Sequence, residues 1–158
     1  MATRIEVFTP EHAGAFAALN RAWLVAHDLI EAHDEEQLAD PWKEILNPGG
    51  QIFVALEGHD VLGVCAAIPY GREAFEVAKL SVAPSAQGQG LGRRLVEHCV
   101  SFARERGARR MVLVSSTRLQ AALKLYESMG FRHGPVPADV QYVTADVYME
   151  LDLDEVRP

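Results

Sequence analysis

Three glycines and two glutamines crowd the stretch QGQGLG, Gln87–Gly92, and an amphipathic pattern begins directly after it. The unsatisfied N–H groups and partial positive charge at a helix N-terminus attract anions. Glycines just before such a terminus let phosphate oxygens approach those N–H groups closely. The stretch is therefore a candidate phosphate cradle. It is not a loop of the GxxxxGK[ST] type, because no lysine in the chain is followed by Ser or Thr. Nor is it the dinucleotide fingerprint GxGxxG. Gly88, Gly90 and Gly92 are spaced GxGxG and follow three strand-like runs instead of opening a βαβ unit. Without a further signal, the alternative is a flexible loop whose glycines only turn the chain.

The elements that must hold this loop are legible along the chain. RIEVF, Arg4–Phe8, alternates like a short strand. Thr9 and Pro10 then read as an N-cap and first helical position, opening a helix from Glu11 to about His27. HDEEQLADPWKEIL reads as one or two short helices broken near Pro41, and NPGG as a turn. QIFVALE and VLGVCAAIPY form a hairpin around GHD, and AFEVAKLSVAP is a third strand-like run. After the glycine loop, Leu91, Leu95, Cys99 and Phe102 mark one apolar face of a helix that Gly107 ends. RRMVLVSS reads as a buried strand and LQAALKLYESMG as a second amphipathic helix; FRHGPV and VTADVYMELDL are strand-like. The fold class is α/β (α+β): a mixed, mostly antiparallel sheet of six to seven strands flanked by about four helices. Residues 1–158 are expected to form a single domain, and strand–loop–helix–strand around the glycines a right-handed βαβ unit.

Composition narrows the partners. The chain has 158 residues, 49% hydrophobic and 23% charged, and is large enough to bury a core without staples. Its net charge of −7 argues against sequence-independent nucleic-acid binding. The N-terminus lacks an apolar signal region, and no apolar run reaches the roughly 18 residues of a membrane span. Cys65 and Cys99 form no CxxC, so they read as buried free thiols of a reducing compartment; the expected location is cytoplasmic.

LSVAPSAQGQGLGRRLV resembles the acyl-CoA-binding motif of the GNAT superfamily of N-acyltransferases, in which [Arg/Gln]-x-x-Gly-x-[Gly/Ala] opens a helix after a hydrophobic–x–Val–x–Pro strand end. Gln87, Gly90 and Gly92 fill the loop pattern, and Leu80, Val82 and Pro84 the strand end. A second block, AALKLYESMGF from Ala121 to Phe131, is similar to the family's later helix and its LYExxGF ending. The resemblance implies transfer of an acetyl group from acetyl-CoA, the acyl donor, to a primary amine by direct attack through a tetrahedral intermediate, without a metal. A CoA-binding sensor or interaction module without turnover is the alternative.

The resemblance also assigns roles. Backbone N–H groups of Gln87, Gly88, Gln89, Gly90, Leu91, Gly92 and Arg93 would hold the pyrophosphate, with the helix dipole adding to them. Leu80, Ser81 and Val82 would guide the pantetheine arm as an added strand does. The fourth and fifth strands are expected to splay apart there, and a bulge in the fourth to aim an N–H at the thioester carbonyl. Arg93 and Arg94 are either phosphate contacts or solvated. Tyr126 occupies the position of the general acid at the thioester sulfur; its helix pattern alone reads as core. Glu76 stands where many members carry a glutamate base, on the same sheet face as Ala78 and Leu80 unless a bulge intervenes. Where many members have asparagine, VSSTRLQAAL offers Ser115 and Ser116, and Ser116 is taken as the shorter substitute. The acidic run HDLIEAHDEEQ, with Asp28, Glu31, Asp34, Glu35 and Glu36, is a solvated face or an acidic mouth for a cationic amine. His27 and His33 lack metal-ligand spacing. Trp23, Trp42, Tyr70 and Tyr142 read as core or as acceptor walls. The acceptor is a small-molecule or protein amine, and a homodimer through a sheet edge is compatible with such sheets though no residue forces it.

Overall fold

A computed structural model describes residues 3–139 and 144–154. One seven-stranded sheet organises them, in the order β1-β2-β3-β4-β5-β7-β6. Its strands are β1 Arg4–Val7, β2 Gln51–Glu57, β3 Asp60–Pro69, β4 Ala74–Val82, β5 Arg110–Ser115, β6 Arg132–Gly134 and β7 Val147–Asp152. The helices are α1 Ala13–Ala26, α2 Ala32–Ala39, α3 Leu91–Glu105 and α4 Gln120–Ser128. All neighbouring strands run antiparallel except β4 and β5, which α3 connects as a parallel βαβ unit.

Each element has a local cause. Pro10 opens a single 3-10 turn, Pro10–His12, ahead of α1, and the backbone N–H of Thr9 donates to His12 Nδ1 at 3.0 Å. The helix therefore starts three residues later than Pro10 alone suggests. Pro41 ends the second helical segment as expected, and a wide π-type turn, Trp42–Leu46, carries the chain into β2. β7 begins only at Val147, later than the strand-like run that opens at Val143; Tyr142 and Val143 lie outside the described residues. Gly107 ends α3 with φ of +78°.

Alternation along the strands divides the core into two layers. On one face, α3 buries Leu95, Val96, Cys99 and Phe102 against Phe53, Cys65, Val77, Met111 and Met149. On the other, Phe16 of α1 and Leu38 of α2 pack with Ile52, Val54, Val64 and Ala66. Cys65 and Cys99 are free, buried thiols.

Candidate active site

The sheet opens where β4 and β5 part. Ala74, Phe75 and Glu76 pair with Arg110, Met111 and Val112, and the ladder then stops. β4 continues to Val82 and β5 to Ser115. Beyond Glu76, β4 and β5 share no ladder pair among the described residues, so this edge of β4 faces a wedge-shaped opening, the kind of edge that accepts an added strand.

A bulge on β4 shapes this edge. In the β3–β4 ladder Val64 faces Ser81 and Ala66 faces Ala78, so Lys79 and Leu80 together stand opposite Cys65. Lys79 adopts φ of +58°, a left-handed conformation that costs a non-glycine residue about 1–2 kcal/mol. The extra residue reverses the alternation. Ala78 lies with the α1 layer, whereas Leu80 and Val82 pack into the α3 layer. Leu80 therefore does not share a face with Glu76, the exception that strict alternation allows for. Ser81 is buried and points to α1, where its Oγ donates to the Leu19 carbonyl at 3.0 Å. Only its backbone remains for a ligand.

The glycine loop closes one end of the opening. Gly88 and Gly90 have φ of +79° and +80°, and a Cβ at either would meet nothing within 4 Å. Left-handed residues in alternation are the backbone pattern from which anion-binding concavities are built. Gly90 is the N-cap of α3, and the first helical bond runs from Arg94 N to Gly90 O at 3.2 Å. Gln87 donates from Nε2 to the Val82 carbonyl at 3.1 Å, tying the loop to the end of β4. Gly92 lines the groove over the loop, and a Cβ there would stand 3.4 Å from the Leu125 side chain, at ordinary contact distance. Gln89 is exposed on the loop and Leu91 is buried beneath it. Arg93 bonds to Ser128, and Arg94 reaches the Thr3 carbonyl at 3.0 Å. The open space over the two glycines and the helix terminus beneath it suit a pyrophosphate.

Two hollows meet at the opening. The groove over the loop is lined by Gln87, Gly88, Gly90, Gly92, Arg118 and Leu125. A smaller cavity, of about 120 Å³, is lined by Glu76, Lys79, Asp34, Asn20, Ser116 and Thr144. Trp23, Leu80, Leu119 and Tyr126 line both, so they form the neck between them.

Tyr126 is 7% exposed, its ring edge-on to Phe131. Burial pushes its hydroxyl above the ordinary tyrosine range, helped by the nearby Cys65 and Cys99 thiols, so it stays a neutral proton donor through ordinary pH. Burial also pushes the Glu76 carboxyl up to about 7, opposed in part by the Lys79 ammonium. Ser116 is buried, and its Oγ accepts from the Arg118 backbone N–H at 3.2 Å, which shapes the turn into α4.

The acidic run divides. Glu35 makes a two-pronged pair with Arg21 at 2.9–3.1 Å, and Glu31 accepts from Thr144 N and Oγ1 at 2.9 and 2.6 Å. Glu36 stands 3.6 Å from His33. Asp28 offers its backbone carbonyl to Arg118 at 3.0 Å, which bridges α4's approach to the α1–α2 corner. Of the five acids only Asp34 lines the cavity, paired there with Lys79. His27 stacks near Trp23, and no cluster of metal-binding side chains exists among the described residues. Trp42 packs edge-on against Phe8, away from the cavity, and Tyr70 lines a separate cleft over β5 and β7. Tyr142 lies outside the described residues. Sequence reasoning overlooked Lys79 and Asn20 as site residues. A lysine inside an otherwise apolar run, three positions after Glu76, was the available signal.

The sequence model of the acetyltransferase (GNAT) family matches residues 16–131. Among curated proteins, N-acetyltransferase family 8 member 2 of Rattus norvegicus is 34% identical over 115 residues, 70% of this chain and 51% of that protein. An uncharacterized N-acetyltransferase of Schizosaccharomyces pombe is 31% identical over 136 residues, 81% of this chain and 79% of that protein. The chain spans about half the length of the mammalian relatives it matches. Among solved structures, a GNAT-family acetyltransferase of Staphylococcus aureus Mu50 superposes with a TM-score of 0.88 at 17% identity, over 96% of this chain and 99% of that one. An acetyltransferase of Salmonella typhimurium, solved with its cofactor acetyl-CoA, gives a TM-score of 0.74 at 24% identity, over 100% of this chain and 98% of that one.

Proposed function

The chain belongs to the GNAT acetyltransferase family, and on that premise we propose that it acetylates a primary amine, with acetyl-CoA as donor and Glu76 and Tyr126 as the catalytic pair. The observation that carries this reading is the shared neck: the candidate acid Tyr126 lines both the glycine groove and the cavity that holds the candidate base Glu76.

Acetyl-CoA would supply an activated acyl group as a thioester. The loop from Gln87 to Arg93 would hold its phosphates, and the open edge at Leu80–Val82 its pantetheine. The chain's own residues do the rest. An alkylamine arrives as an ammonium, with a pKa near 10.4, and must lose a proton before it can attack. Glu76, its carboxyl pushed up to about 7, is poised to take that proton at the cavity near neutral pH. A backbone N–H at the Lys79–Leu80 bulge donates to the oxygen on which negative charge develops. Tyr126 gives its hydroxyl proton to the departing sulfur and regains one from the nitrogen, which sheds its second proton as the tetrahedral intermediate collapses to the amide. A cavity of about 120 Å³ admits an amino group with a few methylenes, so the body of the acceptor stays outside it, whether a small molecule or a protein chain.

The test is thiol release from acetyl-CoA, followed with a thiol reagent across a broad panel of amines. Amine-dependent release is expected. Tight CoA binding with silence across the panel would overturn the reading in favour of a binding module.

A further inference from the structure

The buried ion pair beside Glu76 has no place in the scheme above. Lys79 and Asp34 have side chains only 5% and 3% exposed, and both line the small cavity with Glu76. Strict alternation would send Lys79 to the same face as Phe75 and Val77, into the apolar layer under α3. The bulge, with Lys79 itself at φ of +58°, instead carries the ammonium to the α2 side, where Asp34 meets it. Asp34 is fixed in turn, since its second oxygen accepts from the Glu31 backbone N–H at 2.9 Å. A backbone kept in a disfavoured conformation to bring a buried cation beside a carboxyl is over-determined by its surroundings, which points to function.

We propose that Lys79, anchored by Asp34, is a positioning residue whose ammonium holds Glu76 in its anionic, proton-accepting form. This rests on the reading of Glu76 as the base. The electrostatics agree in direction, since Lys79 is the charge that opposes the burial of Glu76. The groups around Glu76 leave that task to Lys79. Asp34 from α2 carries the wrong sign to stabilise an anion, and Tyr126 from α4 stays neutral. Tyr70, from the β3–β4 turn, is held neutral chiefly by burial, with Glu76 contributing. Arg110 on β5 and Glu150 on β7 lie further along the same sheet face and pair with each other at 3.2 Å. α1 adds Asn20 and Trp23, which do not titrate.

The experiment is the pH profile of kcat/KM for wild type, Lys79→Met, Asp34→Asn, the double variant and Glu76→Gln, with folding checked by thermal melting. Removing the ammonium raises the Glu76 pKa, so Lys79→Met moves the acidic limb up by about one pH unit. Asp34→Asn frees the ammonium's field for Glu76 and moves the limb down. The double variant leaves no orphaned buried charge, so it keeps the inference testable if Lys79→Met fails to fold; its limb also moves up. Lys79→Arg restores the wild-type limb. A limb that stays in place in Lys79→Met and the double variant, while Glu76→Gln abolishes it, overturns the role of Lys79 alone. A limb that survives in Glu76→Gln overturns the base assignment itself.

Discussion

The two halves of the site are built from different materials. The proposed donor half is backbone: an open strand edge on β4, two left-handed glycines and a helix N-terminus. The proposed acceptor half is buried side-chain charge: Glu76, Lys79 and Asp34 around a small cavity. Backbone binding is indifferent to what the acyl group will meet. Buried charge is selective, because each group's ionisation depends on its neighbours. On the proposed reading, one half would serve a common donor while the other selects the amine.

That division predicts separable losses. The largest belongs to Glu76→Gln, which should lower kcat/KM about 100- to 1,000-fold near pH 7.5, the range of general acid–base catalysis. Its acetyl-CoA affinity, read by calorimetry, should stay within about twofold, since no backbone element changes. A large affinity loss would break the comparison. The same carboxyl shapes stability. Its folded-state pKa of about 7 exceeds the ordinary 4.5, so the folded chain binds more protons between those values. Stability should fall as pH rises from 4.5 through 7, by on the order of 3 kcal/mol at about 1.4 kcal/mol per unit, and then level off. Glu76→Gln should flatten that slope in urea melts at a series of pH values. Tyr126→Phe should reduce kcat by on the order of tenfold to a hundredfold with donor affinity unchanged, as loss of a proton donor does. The smallest effect lies on the other side. Gly90→Ala forces a left-handed φ on a residue with a Cβ, at about 1–2 kcal/mol. Donor affinity should weaken about tenfold, and kcat at saturating acetyl-CoA should remain within about threefold.

The glycine loop was the part that sequence exposed. Gln87–Gly92 stands out because a left-handed turn ahead of a helix calls for glycine, and the amphipathic pattern from Leu91 marks the helix that follows. The order of strands and helices followed from alternation and from punctuation by Pro and Gly. The acceptor half was hidden for a physical reason. Asp34 sits in an acidic run that looks solvated, and its carboxylate is held inward by two partners, the nearby Glu31 backbone N–H and Lys79, the latter across 45 residues of chain. Lys79 reaches that place through a one-residue bulge, and a bulge leaves no period in the sequence. The same bulge moved Leu80 to the face opposite Glu76. The route of Arg94 to Thr3 depends on a tertiary neighbour that no local pattern encodes.

The three residue pairs that join β4 to β5 make a short seam between two plates, β1–β4 on one side and β5, β7 and β6 on the other. A donor laid along that edge would lengthen the seam, so the fold should gain heat resistance with the logarithm of donor concentration above its Kd, by mass action. Leu80, Leu119, Trp23 and Tyr126 are walls of both hollows, so a donor seated there would also form part of the surface that its co-substrate meets.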